Sequence, residues 1–445
     1  MLKAKNKTMR FKTITTAVLT GVILLATLTS CEKDDSAREY GDSTIYMPQS
    51  TNFSLGLNAI YPVPASSNGI SPTAANYIVD EKTGKTKIIL GAALSGTARG
   101  AYSVDIRVNA DTVQQILASG VLGVNYAAMP AAGYTLPAKL EVSESGSATF
   151  YLEVDNSVIV DPANLGKHLI VAVALANPSR YAIDAAKSTT IVDLNIAGLF
   201  PSATAASEIN VSEGVTITIS GQNLDKVSSL NFTGSTTEIP IVSQSPTSLV
   251  VTIPNIDAIN IGTLDLVTPF GTTQSGFELV NVANAMQVFT DNYGTNIGPN
   301  TDGDDYGSSQ AVSSAVAKRG NASLAITYFG NNYSPGGVLN TANFVNAGYR
   351  YITFWVRSTT NGTGNEGIQM ALMGSGMPDG YGNDFAGVGI VVSPEWKYFK
   401  IAIGPGSAKP MWNNGNAFRK FGWRLNNWNV PNNEVVYFDD ILFVK

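Results

Sequence analysis

Apolar and polar residues alternate along most of this chain in runs of four to eight, set between Gly, Asn, Pro and Ser. A period of two puts successive side chains on opposite faces, the pattern of half-buried strands. In the first half such runs fall at residues 85–90, 101–109, 138–142, 147–154, 168–176 and 188–196. Residues 213–220 then run into Gly221, and shorter runs follow around Leu230, Leu249 and Thr268. Farther on, Ile352, Phe354 and Val356 alternate with Tyr351, Thr353, Trp355 and Arg357. Phe421, Trp423 and Leu425 alternate with Gly422, Arg424 and Asn426. A helical period shows only at residues 112–117. The pattern predicts an all-β chain of tandem β-sandwiches.

Residues 14–28 break the alternation with an uncharged, mostly apolar run. Before it stand Lys3, Lys5, Lys7, Arg10 and Lys12, with no acidic residue among them. A basic start and a short apolar run describe an export signal, and the run is shorter than the roughly 20 residues that span a bilayer. It ends in Leu28-Thr29-Ser30-Cys31, which resembles the lipobox of bacterial lipoproteins. The resemblance implies that residues 1–30 are a signal peptide and that Cys31 carries the acyl chains. Glu32-Lys33-Asp34-Asp35 resembles the acidic export tag of Bacteroidetes-type lipoproteins, which implies the extracellular face of the outer membrane. Residues 31–43 read as a flexible tether.

Charge and composition narrow the function further. Removing the five basic residues of the signal from the chain's 28 leaves 23 against 34 acidic residues, a net charge of −11. Such a surface repels phosphate backbones, so nucleic acid is not an expected partner. Only 14% of the chain is charged, well below the roughly 25% of ordinary soluble domains. With Cys31 acylated, no disulfide can form within the mature chain. His168, the single histidine, opens the 168–176 strand and reads as a strand-end polar residue. One histidine and no free cysteine leave no soft metal site of His and Cys ligands.

Three modules follow the tether. Residues 44–198 form the first sandwich. Tyr46-Met47-Pro48, Gly133-Tyr134-Thr135-Leu136-Pro137 and Gly146-Ser147-Ala148-Thr149-Phe150 resemble a domain of unknown function at the N-terminus of Bacteroidetes surface lipoproteins. In residues 199–282, a Gly214-to-Leu224 opening, Val251-Thr252-Ile253-Pro254 and Thr268-Pro269-Phe270-Gly271 resemble the TIG (IPT) immunoglobulin-like family. The resemblance implies a rigid spacer. The third module spans residues 286–445 and holds all five tryptophans of the chain. Its Gly320-Asn321-Ala322-Ser323-Leu324 string, its Phe354-Trp355 strand and its ending Val436 to Phe443 resemble the jelly-roll, galactose-binding-like sandwich of carbohydrate-binding modules.

Aromatic rings stack on the C–H faces of sugars, so the tryptophans divide into core and candidate platform. Strand parity puts Trp423 with Phe421 and Leu425 in the core, and Trp396 at a strand start reads as structural. Trp412 lies in Lys409-Pro410-Met411-Trp412-Asn413-Asn414-Gly415, a loop by composition. Trp428 follows on the parity of Arg424 and Asn426, and Trp355 shares the outer face of its strand. The candidate glycan-binding residues are therefore Trp412, Trp428, Trp355, Arg424 and Asn426, with Tyr333, Tyr381 and Asn383 from Gly/Asn/Tyr-rich loops. The family resemblance implies a structural calcium held by Asp291, Asp439 and Asp440, whose hard oxygens suit that ion. The module's only glutamates, Glu366, Glu395 and Glu434, fall in turn-like stretches and supply no pair of facing carboxylates for hydrolysis, which leaves aspartates such as Asp384 as the alternative carboxylates.

The reading that combines these observations is a non-catalytic surface lipoprotein that captures a polysaccharide or oligosaccharide for an outer-membrane glycan-import complex. The alternatives are a surface adhesin or structural lipoprotein that grips protein or host matrix, and a weak glycosidase accessory. Replacing the anchoring thiol separates attachment from folding. The Cys31→Ala protein should leave the outer-membrane fraction on fractionation, and retention there would end the lipoprotein reading.

Overall fold

A computed structural model describes residues 43–51, 60–65, 75–96, 100–256, 258–299, 307–332, 336–359, 368–373, 386–390, 392–404, 406–407, 412, 414–415, 417–425 and 432–445. The chain divides into two compact units, one up to Gly198 and one from Leu199 onward. Among the described residues no helix is long and apolar enough to cross a membrane.

The first unit is a sandwich of two sheets. One runs in the order Ala182–Ile183, Thr44–Tyr46, Lys85–Leu94, Ser147–Asp155 and Tyr134–Thr135, with Tyr77–Asp80 also paired to Lys85–Leu94. The other runs Ile60–Val63, Thr189–Asn195, His168–Ala176, Tyr102–Val108 and Lys139–Val142. His168–Ala176 is buried on both faces, which explains its unbroken apolar run. Ile170 and Ala172 pack under Val113 and Ile116 of the helix Ala110–Ala118, while Leu169, Val171 and Val173 lie on the other side. That helix begins where Asn109 accepts a hydrogen bond from the Thr112 amide at 3.2 Å, a side-chain N-cap. A second helix, Asn156–Val160, is too short to show a period in the sequence. The lone His168 stands at its strand's first rung, with Nδ1 2.8 Å from Asp193 and Tyr126 stacked on its ring at 4.4 Å.

The chain enters and leaves this sandwich at opposite ends. Thr44 bonds to Ser95 beside the end of Lys85–Leu94, and Leu94 bonds to Gly146. Tyr102 reaches Gly146 at this same end. Asn195, the last strand residue, pairs with His168 at the far end of a nine-residue strand, about 30 Å away by strand rise.

The second unit opens with an immunoglobulin-like module in three small sheets. The largest orders Ser202–Ala206, Thr216–Gln222, Ser248–Thr252 and Ile241–Ser245. Ile217, Ile219, Leu249 and Val251 alternate into its core. Gly221 permits the close approach of Ser202, whose carbonyl a Cβ there would strike.

The C-terminal sandwich follows. Its seam sheet orders Ser308–Ser313, Ser323–Tyr328, Glu434–Val444, Tyr351–Ser358 and Lys397–Ala402, with Met286–Phe289 also on the terminal strand. Its distal sheet orders Ile297–Pro299, Gly336–Val345, Ala417–Leu425, Ile368–Met373 and Ala386–Ile390. The core between them holds Phe354, Phe438 and Phe443 from one sheet and Leu339, Trp423 and Leu425 from the other. Trp423 is 1% exposed, stacked on Phe438 at 4.1 Å, as strand parity predicts.

The outer face of the seam sheet is covered by the immunoglobulin-like module. Leu442 and Val444 cluster with Val280, Val282 and Ala285, and Ile209, Ile261, Tyr351 and Tyr398 pack around them. Burying side chains of this size is worth about 1.5–3 kcal/mol each. Lys400 pairs with Glu278 at 2.6 Å, and Lys318 reaches both oxygens of Glu208 at 2.8 and 3.0 Å.

At the centre of this seam the terminal strand is irregular. Thr353 pairs with Leu442 but Trp355 pairs with Asp439, and Asp440 takes a left-handed φ of 43°. This bulge inserts one residue, so Phe438 and Ile441 both point inward while Asp439 and Asp440 both turn outward. Asp440 is 1% exposed. Arg319 grips it with two bonds of 2.7 Å, and Asn210 of the neighbouring module donates a third at 3.0 Å. Asp439 accepts the Lys318 amide at 2.7 Å and the Arg319 amide at 3.2 Å.

Two outcomes follow from this packing. Truncating a fully enclosed tryptophan costs about 3–5 kcal/mol, so Trp423→Ala should lower the melting temperature of the second unit sharply in a thermal melt. Burial, and then the charge of Asp440, push the Asp439 carboxyl up to about 6, above the roughly 3.9 of an unfolded aspartate. The folded state therefore holds this proton more tightly, and its contribution to stability is full below about pH 4 and lost as pH rises through 6. Between pH 4 and 7 the melting temperature should fall more in wild type than in Asp439→Asn. Parallel curves would show an ordinary carboxyl.

Candidate functional site

The strand Ala417–Leu425 lies at the middle of the distal sheet. Trp423 and Leu425 are buried in the core, so Lys420, Gly422 and Arg424 occupy the opposite, outer face. Arg424 is half-buried, and its rung partners are Gly336 and Gln369. Gly422 is flanked by Val338 and Ala371, and Lys420, only 5% exposed, by Asn340 and Met373. The result is a row with a cation at each end and a glycine between them.

Guanidinium and ammonium groups only donate hydrogen bonds, while sugar hydroxyls accept as well as donate. Gly422 leaves no side chain between the two cations, and it is itself buried. No rung partner of Lys420, Gly422 or Arg424 is acidic, so these rungs bring no carboxylate pair together for glycoside hydrolysis. Of the glutamates weighed in the sequence, Glu395 is exposed and Glu434 is buried at the first rung of the terminal strand. Glu366 and Asp384 lie outside the described residues.

The structure corrects the platform expected at Trp412. This ring is 0% exposed, parallel to Tyr349 at 5.6 Å and edge-on to Phe443 at 4.9 Å. The buried amide of Asn346 donates to the Trp412 carbonyl at 2.7 Å, and the Trp412 amide bonds to Ile403 at 3.0 Å. These bonds seat the Trp412 ring in the core.

Trp355 is corrected too. It lies on the outer face of its strand, as parity predicts, but that strand belongs to the seam sheet, across the sandwich from Arg424. Lys318 stands 4.6 Å above its ring, and Tyr398 packs at 5.3 Å. The face is occupied by a cation already paired to Glu208, so Trp355 and Arg424 form no common platform. Trp396 is partly buried rather than in the core, with Arg357 6.0 Å from its ring centre. Trp428, Asn426, Tyr333, Tyr381 and Asn383 lie outside the described residues.

The expected calcium ligands do not converge. Among the described residues no group of three or more His, Cys, Asp or Glu could hold a metal ion. Asp439 and Asp440 are satisfied by Lys318, Arg319 and Asn210, with the guanidinium standing as their cation. Asp291 accepts the Asn321 and Ala322 amides, closing a turn in which Gly320 adopts φ 68°. Sequence reasoning grouped Asp291, Asp439 and Asp440 by family resemblance and passed over Arg319. The adjacent Lys318-Arg319 pair, opposite two acids, was the signal that could have found it. Lys420 was also passed over, because the parity of its strand was read only from Phe421 onward.

No curated protein matches the chain. Among solved structures, one with a xylogluco-oligosaccharide aligns at 15% identity, covering 81% of this chain and 76% of that one, TM-score 0.33. SGBP-B from a complex xyloglucan utilization locus in Bacteroides uniformis aligns at 13% identity, covering 81% and 95%, TM-score 0.37. A family 11 carbohydrate-binding module from Clostridium thermocellum, in complex with a β-1,3-1,4-mixed-linked tetrasaccharide, aligns at 16% identity, covering 34% and 89%, TM-score 0.23. Residues 197–278 match the IPT/TIG domain family.

Proposed function

We propose that this chain is a glycan-binding lipoprotein of the cell surface, attached through Cys31, which captures a polysaccharide without cleaving it and presents it to an outer-membrane import complex. The observation that carries the reading is the division of labour between the two faces of the C-terminal sandwich. One outer face is consumed by the immunoglobulin-like module through Leu442, Val444 and Asp440. The other carries Arg424, half-buried, with the buried Gly422 and Lys420 beside it on the same side of the central strand. A partly exposed arginine on a face without a carboxylate pair at its central rungs suits recognition of hydroxyls rather than hydrolysis. The immunoglobulin-like module holds that face in a fixed orientation. The first unit, entered at one end and left at the other, serves as a spacer above the anchor.

A glycan array followed by calorimetry against the best hit tests this. A hydrogen bond from a charged donor is worth about 1.5–3 kcal/mol, so Arg424→Ala should weaken binding about tenfold to a hundredfold. Trp355→Ala should leave affinity unchanged. Normal binding by Arg424→Ala with loss in Trp355→Ala would move the site to the seam and overturn the assignment.

A further inference from the structure

We infer a second saccharide-binding site on the first unit, in a groove of about 460 Å³ at the open edge of its sandwich. The topology makes the groove. Tyr134–Thr135 pairs with Ser147–Asp155 only at the Val154 and Glu153 rungs. The chain then crosses to Lys139–Val142, the edge strand of the other sheet. Between the two edges Phe150 and Leu140, both nearly buried, form an apolar floor. The volume lies within the roughly 300–1,000 Å³ range of small-molecule sites.

The lining selects the ligand class. Tyr151, 38% exposed, is the aromatic ring at the rim, and its phenol can exchange hydrogen bonds with hydroxyls. Thr135 and Thr149 add hydroxyls that donate and accept. The rim charges are internally balanced. Lys139 lies 3.3 Å from Glu141, and Glu153 lies 3.5 Å from Lys85, which also reaches Thr135 at 3.4 Å. With each charge answered by a neighbour, the groove offers no net attraction for a phosphate or a carboxylate. An exposed ring, an apolar floor and neutral hydroxyl-reading groups fit one or two units of a neutral sugar chain. This site shares its ligand class with the proposed function but lies in another unit. Two sites on one chain would raise retention of a long polysaccharide by effective concentration rather than by a tighter single contact.

The test uses the full chain with cellotetraose, mannotetraose and laminaritetraose as probes, read by saturation-transfer NMR and calorimetry, beside a thermal melt of each variant. In an Arg424→Ala background, binding of at least one probe should persist. It should fall about tenfold when Tyr151→Ala is added, by analogy with base stacking on aromatics. Tyr151→Phe, which keeps the ring, should largely restore it. If Tyr151→Ala changes no probe's affinity in either background, the groove is not a sugar site. The response to Arg424→Ala alone reports on the C-terminal face separately. Among the described strands none pairs with Ser147–Asp155 on this edge beyond Glu153. A strand-forming peptide is therefore included, and Tyr151-dependent binding of that peptide with none of the saccharides would assign the edge to strand addition and overturn the proposal.

Discussion

The second unit is organised around one buried carboxylate. Asp440 sits at the bulge of the terminal strand, almost without solvent, beside a second acid. Burying such a group without a partner is prohibitive, and removing one partner of a buried pair typically costs several kcal/mol. The guanidinium of Arg319 and the amide of Asn210 meet this demand, one from the same sandwich and one from the immunoglobulin-like module. The pairing fixes register as well as energy. The docking brings Asn210 to Asp440, Glu208 to Lys318 and Glu278 to Lys400 at once. Because the seam sheet is thereby covered, the proposed binding is assigned to the distal sheet.

Alternation alone carried most of the fold. The strands at residues 85–94, 102–108, 147–155 and 168–176 are visible as period-two or buried apolar runs. Trp423 is in the core where parity puts it. Short pairings such as Thr44–Tyr46 and Tyr126–Ala128 carry too few residues to show a period. The site was legible only in part, because period tells which face of a strand a residue takes and not which sheet owns the strand. Trp355 and Arg424 both read as outward, yet their outward directions are opposite. Trp412 was misread for another reason. Its neighbours describe a loop, and what draws the ring inward is a hydrogen bond from Asn346, sixty-six positions away.

The acids show the same limit from the side of charge. Asp439 and Asp440 are adjacent in sequence, and adjacent strand residues should face opposite ways. The bulge reverses this, so both turn toward the seam. Their partners, Lys318 and Arg319, come from the loop before Ser323–Tyr328, more than a hundred positions away. A pair of neighbouring acids met by one guanidinium and two adjacent backbone amides, with the Lys318 ammonium reaching across to Glu208, is a compact device for joining two modules. It uses the fixed fork of arginine for geometry and backbone amides for the second acid.

The placement of the termini of the first unit has a mechanical side. The chain enters beside Ser95 and departs past Asn195, at opposite ends of strands that run the length of the sandwich. A load applied between those two points acts along the strands. It strains many ladder hydrogen bonds at once instead of opening them in succession. At the exit, seven rungs hold Thr189–Asn195 to His168–Ala176, whereas at the entry Thr44–Tyr46 is held by two rungs to each of its neighbours. Resistance to such a pull is set by the rate of unfolding rather than by equilibrium stability. The sandwich is therefore loaded like a tie rod, in shear along its strands, with its short entry strand as the weakest link.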